Sequence, residues 1–279
     1  MKKYHRVLSI AGSDPSGGAG LQADLKTVSA LGCYGMTAIV AVVDENTVGV
    51  TGVHPIPVDF VRGQIRSCLD DIGADSIKIG MLHSAELILA VRDTLSAYSI
   101  PGGIVLDPVM VATSGDPLLQ PEAVTTLKEA LIPAARIITP NIPEAEILLA
   151  RKIDNASQLP EAAVELANTF GASVLLKASH LCSEDNGKNN ASEDLLTDIL
   201  YNNENGEILA LSSPRVLTPN THGTGCSLSS AVAAYLARGY DLTAAVKAAK
   251  SYISEAIASG AAYTIGHGHG PIHHFHPFW

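Results

Sequence analysis

Hydrophobic residues in this chain fall into two patterns that take turns along the sequence. Residues 7–10, 76–79, 103–106, 135–138 and 173–176 form short apolar runs bounded by turn-forming residues. Runs of that length suit strands buried on both faces. Between and beside them the spacing becomes helical: Leu21, Leu25, Val28 and Leu31 recur on one face, and residues 58–69 and 84–98 read as helices. A further apolar run at 36–43 follows the first of these helices. Strand and helix alternating in this way imply right-handed crossovers and an α/β fold, three layers deep (α/β/α) around a central, mainly parallel sheet. Residues 197–200 and 208–211, joined by Asn202-Asn203-Glu204-Asn205-Gly206, read as a hairpin, and the polar stretch 183–192 as a mobile loop. Ligands of such sheets gather at the carboxyl ends of the strands. Asp14 and Asp24, Met81, Asp107 and Asn141 all stand there.

Composition narrows the picture. With 279 residues and 47% hydrophobic content, the chain can bury a large core, and the absence of any linker leads us to expect one domain over residues 1–279. A formal charge of −10 argues against nucleic acid or an anionic membrane as a partner, so an anionic substrate must be met locally by lysines and backbone amides. The four cysteines, Cys33, Cys68, Cys182 and Cys226, lie far apart without a C-x-x-C spacing, which favours free thiols in a reducing compartment. The first residues carry charge without a following apolar stretch and cleavage site, and no apolar run approaches ~18 residues. A cytoplasmic location is expected.

Two glycine-rich segments carry candidate chemistry. Asn220-Thr221-His222-Gly223-Thr224-Gly225-Cys226 precedes a long alanine-rich segment that begins at Ser227. Glycines allow close backbone approach, and the first turn of a helix leaves N–H groups without intrahelical partners, so a phosphate fits there. The same partial positive charge would depress the pKa of Cys226 and equip it as a base for a substrate hydroxyl. The plainer alternative is a tight turn whose cysteine is a small buried hydrophobe. The second segment, Gly12-Ser13-Asp14-Pro15-Ser16-Gly17-Gly18-Ala19-Gly20, links the first strand to the first helix. It is not a Walker A loop, because Gly18 stands where the lysine belongs. Gly18-Ala19-Gly20-Leu21-Gln22-Ala23 matches the G-x-G-x-x-A dinucleotide fingerprint, with Asp44 and Glu45 about where a ribose-binding acid belongs. Six residues from Gly12 to Gly17 intervene between strand and fingerprint, which weakens that reading.

Taken together, several segments resemble one family: the hydroxymethylpyrimidine and phosphomethylpyrimidine kinases of thiamine biosynthesis, within the ribokinase-like superfamily. The resemblance is carried by residues 10–26, Lys78-Ile79-Gly80-Met81-Leu82, Leu106-Asp107-Pro108-Val109-Met110, Thr139-Pro140-Asn141, the Cys226 segment and Gly270-Pro271-Ile272-His273-His274-Phe275-His276. It runs almost end to end. The histidine-rich terminus is then similar to the family's own tail, where composition alone suggests a purification scar or a metal tract.

The resemblance implies phosphoryl transfer from ATP, with Mg²⁺, to the hydroxymethyl group of an aminopyrimidine, by a homodimer. Gly223, Thr224 and Gly225 would cradle the transferring phosphoryl group, and Cys226 would serve as base. Asp107 and Glu144 match the carboxylates serving Mg²⁺ or its water shell; for Glu144 the alternative is a solvated carboxylate in the first turn of a helix after Pro143. Asn141, Lys177 and Lys250 match nucleotide contacts, with a surface role as the alternative for Lys250. Ala19, Asp24 and Met81 match the pyrimidine pocket, together with Glu45, which stands where the family carries glutamine. The alternative for Glu45 is that it turns to solvent. Lys177-Ala178-Ser179-His180 also lacks the double glycine usual after that lysine. A pyridoxal-type vitamin kinase of the same fold is the nearest rival reading. A dinucleotide-binding oxidoreductase and a nucleotide sensor without turnover stand further off.

Overall fold

The structure is a computed structural model that describes residues 2–110, 119, 121–177 and 195–279. The polar stretch 183–192 and the residues following Lys177 lie outside the described residues. Among the described residues nine strands form one sheet: β1 (Arg6–Gly12), β2 (Tyr34–Glu45), β3 (Val50–Pro55), β4 (Ser76–Ile79), β5 (Ile104–Leu106), β6 (Ile137–Ile138), β7 (Ser173–Leu176), β8 (Leu195–Asn202) and β9 (Glu207–Pro214). Their order across the sheet is β3-β2-β1-β4-β5-β6-β7-β8-β9. The inner pairs from β2 to β7 are parallel; β3, β8 and β9 join antiparallel at the two edges. The chain leaves β1 toward β2 and returns on its other side as β4. That reversal opens a crevice at the carboxyl ends of β1 and β4.

The helices are α1 (Gly20–Ala30), α2 (Val58–Asp71), α3 (Ala85–Leu95), α4 (Pro121–Thr126), α5 (Ile142–Leu149), α6 (Leu159–Phe170), α7 (Thr224–Ala237) and α8 (Leu242–Gly260). Helices α2, α3, α5 and α6 cover one face of the sheet, and α1, α7 and α8 the other. Successive strand residues feed opposite cores: Leu8 and Ile10, Leu106, Ile138 and Leu176 point to the first, and Val7, Val105, Ile137 and Leu175 to the second. This is why these strands read as unbroken apolar runs.

Several boundaries differ from expectation for local reasons. The run at 103–106 loses its first residue because Gly103 turns with φ +78°. The helix expected at 84–98 starts after Ser84, whose hydroxyl caps it by accepting from the Leu87 N–H, and ends at Leu95. The hairpin extends to full strands of eight residues each. Strand β3 was not anticipated; its exposed Val-Thr-Gly-Val-His-Pro carries glycine and proline, and the strand owes its conformation to pairing with β2.

Candidate active site

Two turns meet at the carboxyl end of the sheet, and one side chain shapes the first of them. The carboxylate of Asp14 accepts backbone N–H bonds from Ser16, Gly18 and Ala19 at 2.8, 3.0 and 2.6 Å. The second turn precedes α7, and its Gly223 has φ +78°. A Cβ on Gly223 would lie 1.8 Å from the carbonyl oxygen of Gly18, so only glycine lets the two turns touch. Helix α7 begins at Thr224, earlier than the expected Ser227, which puts Cys226 inside its first turn. The Thr224 N–H is given to the Thr221 carbonyl at 3.2 Å, and the next N–H groups of that turn border a cavity of about 520 Å³. Every site residue expected from the sequence lines this cavity, except Asp24. Cavities of about 550 Å³ beside α6 and about 800 Å³ at the amino end of the sheet contain none of them.

Asp24 is corrected to a place behind the cavity wall. It is fully buried on α1, where Lys78 Nζ reaches its two oxygens at 2.9 and 2.8 Å and the Ser230 hydroxyl donates at 2.7 Å. Burial lowers the proton affinity of Lys78, but the Asp24 charge more than restores it, so the net shift is upward. Cys226 also departs from expectation. Burial, opposed by Lys78 and the Gly20 N–H and reinforced by Asp24 and Asp107, pushes the thiol up to about 11 rather than down. The helix terminus helps the thiolate less than the loss of water hurts it.

Asp107, at the end of β5, is the hub of the opposite wall. It accepts from Lys177 Nζ at 3.0 Å, from Thr139 Oγ1 at 3.0 Å and from Ser229 Oγ at 3.3 Å. Glu144 is not a solvated carboxylate: it is 4% exposed and forms a capping box with Asn141, through bonds of 2.8 and 2.9 Å. Burial raises it to about 7, with Lys177 opposing and Asp107 reinforcing. Lys250 reaches the cavity and donates to Asp198 at 2.7 Å, so its surface role falls away. Among the described residues no three His, Cys, Asp or Glu side chains converge as a metal cage. Mg²⁺ does not need one, since it keeps several waters and leans on one or two carboxylates plus substrate phosphates. Asp107 and Glu144, hard oxygen donors on one cavity wall, fit that mode.

The remaining wall contains a residue to which the sequence reading assigned no role. His222 Nε2 lies 3.0 Å from Asp14 Oδ2 and 3.9 Å from Glu45 Oε1. Burial lowers the imidazole, but the hydrogen bond to Asp14 and the charges of Asp14 and Glu45 raise it overall. Glu45 faces the cavity with 17% of its side chain exposed, not the solvent, and burial together with the Asp14 charge raises it against the pull of His222. Asp14 is held well below the carboxylate range despite its burial, by His222 and its N–H donors. No spacing rule connects positions 14, 45 and 222; only the fold brings them together.

Comparison with known proteins settles the family. The model described as phosphomethylpyrimidine kinase matches residues 14–273. The chain belongs to that family. Over the full length of both chains it is 46% identical to the hydroxymethylpyrimidine/phosphomethylpyrimidine kinase of Escherichia coli K12. Its fold is ribokinase-like. A phosphomethylpyrimidine kinase from Clostridium difficile 630 superposes with a TM-score of 0.75 at 42% identity, covering 90% of this chain and 99% of that one. A Bacillus subtilis pyridoxal kinase, solved as an ADP complex, gives a TM-score of 0.85 at 36% identity over 98% of each chain. Membership in a kinase family removes the dinucleotide reading. Physically, the Gly18 and Ala19 N–H groups that a pyrophosphate would need are already donated to Asp14.

Proposed function

We propose that this kinase transfers the terminal phosphoryl group of ATP to the hydroxymethyl group of 4-amino-5-hydroxymethyl-2-methylpyrimidine, and then phosphorylates the resulting monophosphate. The observation that carries this reading is one cavity with two chemically distinct walls. An amide-rich helix start with Lys177 and Lys250 offers donors to phosphates, and the Glu45 side offers polar partners to a small heteroaromatic ring. Phosphoryl transfer asks mainly for positioning and charge stabilisation, which the Gly223-Thr224-Gly225 amides and two lysines supply. Mg²⁺, held by Asp107 and Glu144 directly or through water, would neutralise charge on the phosphate oxygens.

Cys226 receives the hydroxyl proton as its thiolate in this scheme. At about 11 the thiol of the empty protein is almost wholly protonated near neutrality, so turnover should climb with pH as the thiolate becomes populated. Cytoplasmic location agrees with Cys33, Cys68 and Cys226 all being free thiols. A homodimer agrees with the exposed apolar side chains Val42 and Val53 on the β2–β3 edge.

The pyridoxal alternative keeps some support from the solved pyridoxal kinases of the same fold. A coupled ATP assay with hydroxymethylpyrimidine, its monophosphate, pyridoxal and pyridoxine side by side tests the reading. The two pyrimidines should lead in kcat/KM. Preference for pyridoxal would transfer the assignment to the rival, and binding without turnover would make the protein a sensor.

A further inference from the structure

The Asp14, His222 and Glu45 cluster has a charge problem that a ligand can solve. Asp14 is ionised, and its hydrogen bond favours the protonated form of His222. With Glu45 ionised as well, the sum is −1 in a site largely removed from water. The surrounding groups leave that charge in place. On the C-terminal side His274 is pushed down to about 3 by burial and is neutral, its Nε2 3.0 Å from the Ser227 hydroxyl. On α1, Lys26 turns away to donate to the Gly17 carbonyl at 2.6 Å. On β2 the neighbouring Asp44 is exposed, on the other side of the strand. Among the described residues, the ion pair shown for Glu45 is with His222, which it shares with Asp14.

Hydrogen-bond supply leads to the same point. The edge of an aminopyrimidine presents an amine donor beside a ring-nitrogen acceptor, so its partner must accept once and donate once. An ionised Glu45 only accepts. His222 Nε2–H is already given to Asp14 at 3.0 Å and cannot be the missing donor. A proton on either the carboxyl or the ring nitrogen completes both bonds, makes them charge-assisted in one form, and brings the cluster to neutrality.

The cluster is also built not to move. The Thr47 carbonyl, two residues past Glu45, accepts the His269 N–H at 2.8 Å, and the Gly270 carbonyl accepts the His222 N–H at 3.0 Å. A Cβ on Gly266 or Gly268 would lie 2.2 or 2.0 Å from Thr47 atoms. The same short stretch of tail thus clamps both the Glu45 and the His222 segments. Neither can swing aside to avoid the charge.

We infer that Asp14, His222 and Glu45 form a proton-linked recognition site, which binds the aminopyrimidine edge together with one proton taken from solution. Selectivity then follows the basicity of the ring nitrogen beside the amine, not ring shape alone. This inference rests on the kinase reading above and sharpens its substrate side. Above the midpoint of the linked ionisation, affinity falls by about tenfold per pH unit.

Calorimetric titration of the intact protein with hydroxymethylpyrimidine, without ATP, at pH 8 in two buffers of different ionisation enthalpy counts the protons. The wild type should take up close to one proton per site, and Glu45→Gln should bind with none. Binding by the wild type without uptake, or undiminished uptake in Glu45→Gln, would overturn the inference and leave the kinase reading intact. Absence of binding in the wild type would overturn the kinase reading, and this inference with it. Should Glu45→Gln fail to bind, His222→Gln decides: removing the imidazolium beside Glu45 should move the midpoint of uptake to higher pH, and an unmoved midpoint refutes the linkage.

Discussion

Two buried charge clusters flank the turn that carries Cys226, and they are balanced differently. In the Lys78–Asp24 pair both side chains are fully buried, the charges sum to zero, and the hydroxyls of Ser9 and Ser230 occupy the carboxylate further. In the Asp14–His222–Glu45 cluster one imidazole serves two carboxylates, at 3.0 and 3.9 Å, beside an open cavity. The first cluster is balanced within itself, and Asp24 does not reach the cavity. Its work is to fix α1 and β4 beneath α7. The second is short of one positive charge and one donor, and a ligand can bring both. Burial alone therefore does not mark a functional charge; an incomplete set of partners next to open space does.

The thiol between the clusters gives the largest expected effect. Cys226→Ala leaves both clusters intact, so it should melt close to the wild type while losing about 10²–10⁴-fold in turnover, the usual range for a lost general base. In the wild type the rate should rise with pH through the neutral range, because the thiol sits at about 11, and the alanine variant should lose that rise. A variant with near-full activity and an unchanged pH profile would reduce Cys226 to packing.

Breaking the balanced cluster comes next. Lys78→Met leaves Asp24 buried without its countercharge and should destabilise the fold by about 3–5 kcal/mol in denaturant titration. Adding Asp24→Asn removes the stranded charge and should recover part of the loss. If Lys78→Met melted like the wild type, the pair would not be the scaffold described here.

The smallest effect separates the clusters by pH. His222 has its folded pKa raised above the ordinary 6.5, so its contribution to stability is full below 6.5 and is lost as pH rises through the raised value. Glu45, raised above 4.5, adds a slope of the same sign over its own range. Asp14 acts oppositely: its contribution is present above 3.8 and is lost as pH falls toward its depressed value. Lys78, raised above 10.5, contributes no slope in this range. Over pH 5 to 8 Glu144, raised to about 7, adds to this decline, and His274, lowered to about 3, opposes it below 6.5. The His222 share is therefore read as the difference between thermal melts of the wild type and His222→Gln, the variant losing part of the decline toward alkaline pH. A decline flattened in Lys78→Met and unchanged in His222→Gln would reverse the assignment.

Much of this arrangement was legible along the chain, and the parts that were not share a cause. Strands β4 and β7 have the expected bounds because both faces of each are buried, which leaves a plain apolar signature. The phosphate-side residues were found because glycines and strand ends advertise themselves locally. Asp24 was misplaced because its partner Lys78 hides inside an apolar run 54 residues away. Cys226 is half-buried beside the cavity, and its withdrawal from water comes from the packing of α1 and β4 against α7, so the helix-terminus argument met only half of its environment. His222 stood inside the most conspicuous motif of the chain, yet its role depends on two acids from elements that only the sheet order brings near.

The bond from His222 to Asp14 joins positions 208 residues apart in the chain. Contacts of such separation require closure of very long loops, and they form late and slowly relative to local helices and hairpins. The ring-binding wall is therefore not a property of either half of the molecule. It comes into being when the first loop and the last helices dock, at the step where Gly18 meets Gly223. A pyrimidine bound there holds only chains that have completed that docking, and it stabilises them in proportion to RT ln(1 + [L]/Kd). Recovery of ligand binding during refolding consequently times the joining of the two ends of the chain, whereas recovery of helical signal does not.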